Sequence, residues 1–289
     1  KYAVYAVNDD NVKITNHGTI TNNNHFTLHM RNTTSATIDN KSTGIIQSTG
    51  GCCVIDYKGS DGTFTLTNAG TIISRTHGTI NNWGSSSSIV NITNSGTIRM
   101  RGISVSQSNV EALCAICTAG STGAVTITNS GTIETIGDDR PAIYTNDETA
   151  STIINSGTIS GHGTAKDILV ADDASGTATT TIKISGEGSF DNGIELNDTT
   201  VQLVLEPDIK RDTTVTIYNK DNLTIVNNLT GNDTYSITSE NLDSGEGDTT
   251  LGDGVLTILG EDLEIAQDNP KYRSENVLTK LRGLFDAAN

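Results

Sequence analysis

Apolar and polar residues alternate along most of this chain, and one seven-residue alternation keeps returning. It is written Ile127-Thr128-Asn129-Ser130-Gly131-Thr132-Ile133, Ile92-Thr93-Asn94-Ser95-Gly96-Thr97-Ile98 and Leu66-Thr67-Asn68-Ala69-Gly70-Thr71-Ile72. Further copies run over Ile14–Ile20 and Ile153–Ile159, and a sixth over Ile38–Ile46 carries two extra residues before its glycine. The glycines stand at 18, 44, 70, 96, 131 and 157, at intervals of 26 residues with one of 35. A fixed period of this length predicts a stack of like units. Ile-Thr and Thr-Ile are short β-forming pieces, and Asn-x-Gly between them is turn chemistry. The expectation is that each glycine adopts a positive φ and lets the chain bend sharply between two strands.

The predicted fold is all-β: a right-handed parallel β-helix with three short strands per coil of about 26 residues. Two columns follow from the period. Ile20, Ile46, Ile72, Ile98, Ile133 and Ile159 stack inside, roughly 4.8 Å apart. Asn16, Asn68, Asn94, Asn129 and Asn155 form a polar ladder whose side-chain amides bond from coil to coil. Regular coils are expected over residues 1–200, and irregular coils of the same solenoid over 201–268. Residues 269–289 differ in kind. Val277, Leu278, Leu281, Leu284 and Phe285 are spaced for one helix face, with Ser274 as N-cap, so a capping helix or linker is expected there. The 35-residue interval places extra residues near Ser104–Ala112, as a loop on one face beside the basic spot Arg99 and Arg101. Arg99, Arg101, Asn109 and Glu111 are therefore the candidate binding loop.

Composition supports a thin interior: only 4% of residues are aromatic, with three prolines and 29 glycines. The net charge of −16 excludes attraction to nucleic acid or anionic lipid. No apolar run is long enough to span a membrane as a helix. Lys1-Tyr2-Ala3-Val4 has no signal-peptide pattern, and the chain begins mid-pattern, as a mature or excised fragment would. The four cysteines form two close groups, Cys52-Cys53 and Cys114-Ala115-Ile116-Cys117. Cys53 and Cys114 fall in coils that are not neighbours, so about 10 Å separates them, beyond disulfide reach. Local bridges, free thiols, and metal or redox chemistry all remain open for the two groups.

The repeats resemble those of bacterial autotransporter passengers of type V secretion. The resemblance rests on the Ile-Thr-Asn-Ser-Gly-Thr-Ile copies and covers roughly residues 10–160. It implies a β-helix exported across a Gram-negative outer membrane, with its C-terminal coils folding first and a C-terminal translocator as its membrane link. It also implies an extracellular or outer-membrane location. Cysteines kept close in sequence suit that route. Passengers include adhesins, self-association factors, toxins and proteases, and fold does not choose among them. Expected partners are a host-cell receptor, extracellular matrix, a glycan or another copy of the chain. No cofactor or metal is implied.

A serine protease would need a separate domain with a Gly-Asp-Ser-Gly-type nucleophile turn, and neither occurs. The sharper rival is a β-helix polysaccharide hydrolase or lyase. Asp138 and Asp139 follow Gly137, and Gly161-His162-Gly163 comes one coil later, in the order that polygalacturonase-like enzymes use. Two acids about 6.5–9.5 Å apart would serve inverting hydrolysis, but no Asn-Thr-Asp precedes them and no Arg-x-Lys follows. Adhesion is the favoured reading. His25 and His29 share a strand face but lie too far apart to clasp one ion, so solvated histidines, with His17, are expected. Threonine columns such as Thr65 with Thr67 suggest an ice-binding face, but Lys13, Asn91 and Ile154 interrupt them.

Overall fold

The computed structural model describes residues 2–50, 52–59, 62–82, 88–102, 113–118, 123–137, 139–146, 150–171, 178–197, 200–218, 223–230, 233–240 and 253–259. The chain winds through three sheets in turn, and as far as residue 227 each strand pairs in parallel with its counterpart one coil away. Among the described residues these are an eleven-stranded, a nine-stranded and a seven-stranded sheet, and no helix occurs. The protein is a parallel β-helix. The expected capping helix at 269–289 lies outside the described residues.

Register follows the repeat. In the seven-stranded sheet Ile46 pairs with Ile20 and Ile72, Ile98 with Ile72 and Ile133, and Ile159 with Ile133 and Phe190. From Ile46 to Ile159 the column is completely buried. Each such isoleucine removes enough apolar surface to contribute roughly 2–3 kcal/mol. Ile20 is half-buried against the core, because its strand Thr19–Asn22 is the sheet's edge. The nine-stranded sheet adds the inward column Ile38, Leu66, Ile92, Ile127, Ile153 and Ile182. The long interval leaves this register intact. Ile89–Asn94 pairs directly with Val125–Asn129, and Thr97–Met100 with Thr132–Thr135. The extra residues fall in sequence between Met100 and Ile116, and most of them, including Ser104–Ala112, lie outside the described residues.

At the corner between the nine- and seven-stranded sheets, the asparagines form one directional chain. Asn16 Nδ2 donates to Asn40 Oδ1 at 2.8 Å, Asn40 to Asn68 at 2.7 Å, and Asn68 to Asn94 at 2.8 Å. Asn94 donates to Asn129 at 2.8 Å, and Asn129 to Asn155 at 2.9 Å. Asn40 is therefore a full rung. The two extra residues of its copy close a local turn in which Gly44 N donates to Lys41 O at 2.7 Å. The same amide groups also donate to carbonyls of their own turn and of the next coil, as Asn94 does to Gly96 O and Thr132 O.

The glycines of the repeat correct one expectation. None of the six adopts a positive φ; among the described residues the positive-φ glycines are Gly102, Gly137, Gly163, Gly186 and Gly193. Gly96 is glycine for another reason: a Cβ there would collide with the carbonyl oxygen of Gly70 in the coil below. Gly131 and Gly157 sit the same way over Gly96 and Gly131. The repeated glycine is a stacking requirement, not a turn requirement.

Beyond residue 200, Val201–Leu205 and Leu223–Asn227 continue the nine-stranded sheet in parallel, and Thr214–Tyr218 continues the eleven-stranded one. Then the direction changes. Asp253–Leu259 runs antiparallel to both Thr214–Tyr218 and Thr234–Glu240.

Candidate functional site

The period places Asp139 one coil from the Gly161-His162-Gly163 turn, and the two do meet. Asp139 Oδ1 accepts from Thr164 N at 3.2 Å, and His162 N donates to Arg140 O at 3.3 Å. Gly163 has φ +64°, and a Cβ there would collide with Asp139 Oδ1. The Asp139 carboxylate is thus an acceptor for backbone, and both Asp139 and His162 are exposed. Asp138 lies outside the described residues. Beside this turn is a cleft of about 340 Å³ lined by Gly163, Thr164, Lys166, Asp191, Asn192 and Tyr218. Lys166 Nζ stands 3.4 Å from the Tyr218 ring centroid, a cation–π contact.

Beneath that cleft is a buried acid that the repeat does not announce. Asp167 accepts from Gly161 N at 2.6 Å and from Asn192 N and Gly193 N at 2.7 Å each. It ties its own coil to the next. Burial, with the nearby negative charge of Asp191, lifts its pKa to about 6 against the three N–H groups that hold it down.

The candidate binding loop divides. Arg99 is neutralised by Glu134 in the next coil, with Arg99 Nε donating to Glu134 Oε1 at 2.6 Å. Arg101 is exposed and lines a cleft of about 450 Å³ with Gln47, Thr49, Ile73, Arg75 and Ile136. Asn109 and Glu111 lie outside the described residues.

Cys114 and Cys117 form a disulfide with 5.6 Å between Cα atoms. Cys52 and Cys53 are free, their sulfurs 4.0 Å apart. Cys53 is buried and accepts from Asn81 Nδ2 at 2.9 Å. The pKa of its thiol lies well above the usual range because of the sulfur–sulfur contact with Cys52 and desolvation; the same contact lowers Cys52.

One histidine departs from the expectation of solvated side chains. His29 is buried, and its Nδ1 lies 2.6 Å from Asp56 Oδ2. Burial raises Asp56, and the charges of His29 and Lys58 oppose the rise. The rings of Tyr5 and Phe26 stack over His29 at 5.3 and 4.9 Å, which removes water from it. His29 and Asp56 are directly paired in register, 27 residues apart rather than 26. Adding one period to His29 lands on Ile55, so the contact was missed by one residue.

The chain matches no family model, and no curated protein or solved structure matches it. Geometry alone therefore weighs the sites. Among the described residues no three His, Cys, Asp or Glu side chains converge as metal ligands. Asp139 bonds to backbone beside an exposed histidine, whereas Arg75 and Arg101 share a cleft.

Proposed function

We propose that this chain is a secreted or surface-displayed bacterial passenger that acts as an adhesin or self-association module. The observation that carries this reading is the stack of part-exposed polar residues along the nine-stranded sheet. Lys13, Thr37, Thr65, Asn91, Thr126, Thr152, Thr181 and Gln202 succeed one another in register on its outward side. Such a column offers hydroxyls and amides at a regular spacing near 4.8 Å, to a protein, a glycan or another copy. Export suits the covalent layout, since a bridge between residues three apart closes no large loop before threading. A membrane link would come through a translocator outside this sequence.

The runner-up is polysaccharide cleavage at Asp138, Asp139 and His162. It draws on the meeting of Asp139 with the Gly163–Thr164 turn beside the cleft of Lys166 and Asp191. One set of assays separates the two readings. Purified protein is tested for binding to host cells and matrix proteins, for self-association by sedimentation, and for reducing-sugar release from polysaccharides. Adhesion or clumping that Asp139→Asn leaves unchanged supports the first reading. Sugar release abolished by Asp139→Asn replaces it with the second.

A further inference from the structure

We propose that the cleft around Arg75 and Arg101 binds an acidic sugar, with the two guanidinium groups receiving its carboxylate or sulfate. This deepens the adhesion reading and rests on it. Arg75 and Arg101 are 26 residues apart, one coil. Arg101 N donates to Ser74 O at 2.8 Å, which places Arg101 directly over Arg75. Both are exposed, and both line the same cleft.

Among the described residues no carboxylate compensates their charges, in a strongly acidic protein. Lys41, Arg99, Lys183, Lys210 and Arg211 each have a carboxylate partner. Among the described residues, none makes an ion pair with Arg75 or Arg101. Two like charges stacked one coil apart repel, and an anion between them removes the repulsion. The planar guanidinium fork matches the two oxygens of a carboxylate or sulfate. Arg31 and Lys58 are also stacked in register, but they do not line either cleft, and Lys58 acts on the buried Asp56.

The rest of the cleft fits a sugar better than a peptide chain. Ile73 and Ile136 are half-buried and offer apolar surface for the C–H face of a pyranose, while Gln47 and Thr49 face its hydroxyls with donors and acceptors. At about 450 Å³ the space takes a short saccharide segment. Gly137, with φ +107°, also lines the cleft, and a Cβ there would crowd the carbonyl oxygens of Arg101 and Gly102.

The test is calorimetric titration of the whole protein with a sulfated oligosaccharide derived from heparin, an oligogalacturonide and a neutral dextran oligosaccharide. Arg75→Gln, Arg101→Gln and the double variant are compared with wild type. The charge-matched Arg31→Gln/Lys58→Gln pair is the control, and melting curves establish folding. At least one acidic sugar binds, the neutral one does not, and raising the salt weakens binding. The sulfated and carboxylated arms identify which acid is preferred. Each single variant weakens binding about tenfold or more, while the control pair stays within about twofold. Equal loss in the control pair reduces the effect to diffuse charge and overturns the site. So does unchanged affinity in the double variant, or equal binding of the neutral sugar. An acidic peptide bound more tightly, with the same arginine dependence, also overturns the sugar assignment. The two readings fail separately. Adhesion that persists in the double variant without acidic-sugar binding removes the cleft and leaves adhesion standing. Arginine-dependent sugar binding by a protein that neither adheres nor clumps does the reverse.

Discussion

The corner between the nine- and seven-stranded sheets and the outward side of the eleven-stranded sheet use the same stacking geometry in opposite ways. The corner repeats one residue, and Asn16, Asn40, Asn68, Asn94, Asn129 and Asn155 make the same bond five times. The outward side places Tyr5, His29, Asp56, Asn81, Cys117 and Tyr144 in one register column, nearly all different. There His29, Asp56, Asn81, Cys117 and Tyr144 are buried although they point away from the core. A repeated column holds coils at one spacing and cannot make any one of them special. A column without repetition can build a unique contact, and the His29–Asp56 pair is one. Repetition marks what every coil needs, and departures from it mark where a particular function can sit.

The comparison breaks most severely at the inner column. Ile98 is completely buried between Ile72 and Ile133. Ile98→Asp puts an unpaired carboxylate there, and the expected loss is more than about 4 kcal/mol. Urea denaturation followed by circular dichroism measures it; a midpoint close to wild type contradicts the register. Next comes the glycine contact. Gly96→Ala forces a Cβ against the Gly70 carbonyl and separates two coils, at roughly 3 kcal/mol. Gly18→Ala meets nothing within 4 Å, so its melting temperature stays near wild type. Equal destabilisation by the two substitutions would return the glycine to a turn role.

The inner isoleucines and the asparagine ladder were legible because their copies are nearly identical, so adding 26 to a residue number, or 35 across the one long interval, finds the neighbour. Asn40 belonged to the ladder despite two extra residues, because its turn absorbs them without shifting the strands. Arg75 and Arg101 were legible by the same addition, yet only the fold places them in one cleft. His29–Asp56 was not legible, since one additional residue in that coil defeats the period. The glycine's role was misread because turn preference and close coil contact both select a residue without a Cβ, and sequence does not separate them. Nor does any repeat announce Asp167, whose three backbone donors come from turns of differing length.

Asp167 gives the non-repeating part of the fold its own signature. Its pKa is about 6 in the folded protein against 3.8 for the free group. The folded state therefore holds the proton more tightly than the unfolded chain does. The resulting stability is fully present below about pH 4 and is lost as pH rises through about 6, a decline of about 3 kcal/mol. Asp167→Asn should lower stability generally and flatten that decline. Denaturation at intervals between pH 4 and 7 decides it: parallel profiles for the two proteins would show that Asp167 does not carry the pH dependence.

The ladder itself separates middle from end. Asn94 both receives the amide of Asn68 and donates to Asn129, Gly96 and Thr132. Asn94→Ala leaves the Asn129 carbonyl oxygen without its donor from the ladder, removes one acceptor from Asn68, and does so in a fully buried place. The expected cost is about 2 kcal/mol. Asn16 occupies the end, where among the described residues no amide of the ladder donates to it. Asn16→Ala interrupts a single link, and its expected cost is about 1 kcal/mol. Hydrogen exchange sharpens the contrast further. Loss of Asn94 should speed exchange at Ser95 N and Ser130 N, whose acceptors Asn68 O and Asn94 O belong to the ladder's backbone, while loss of Asn16 should leave both protected. Equal effects of the two substitutions would mean that each rung acts alone, and that the column's length adds nothing to its strength.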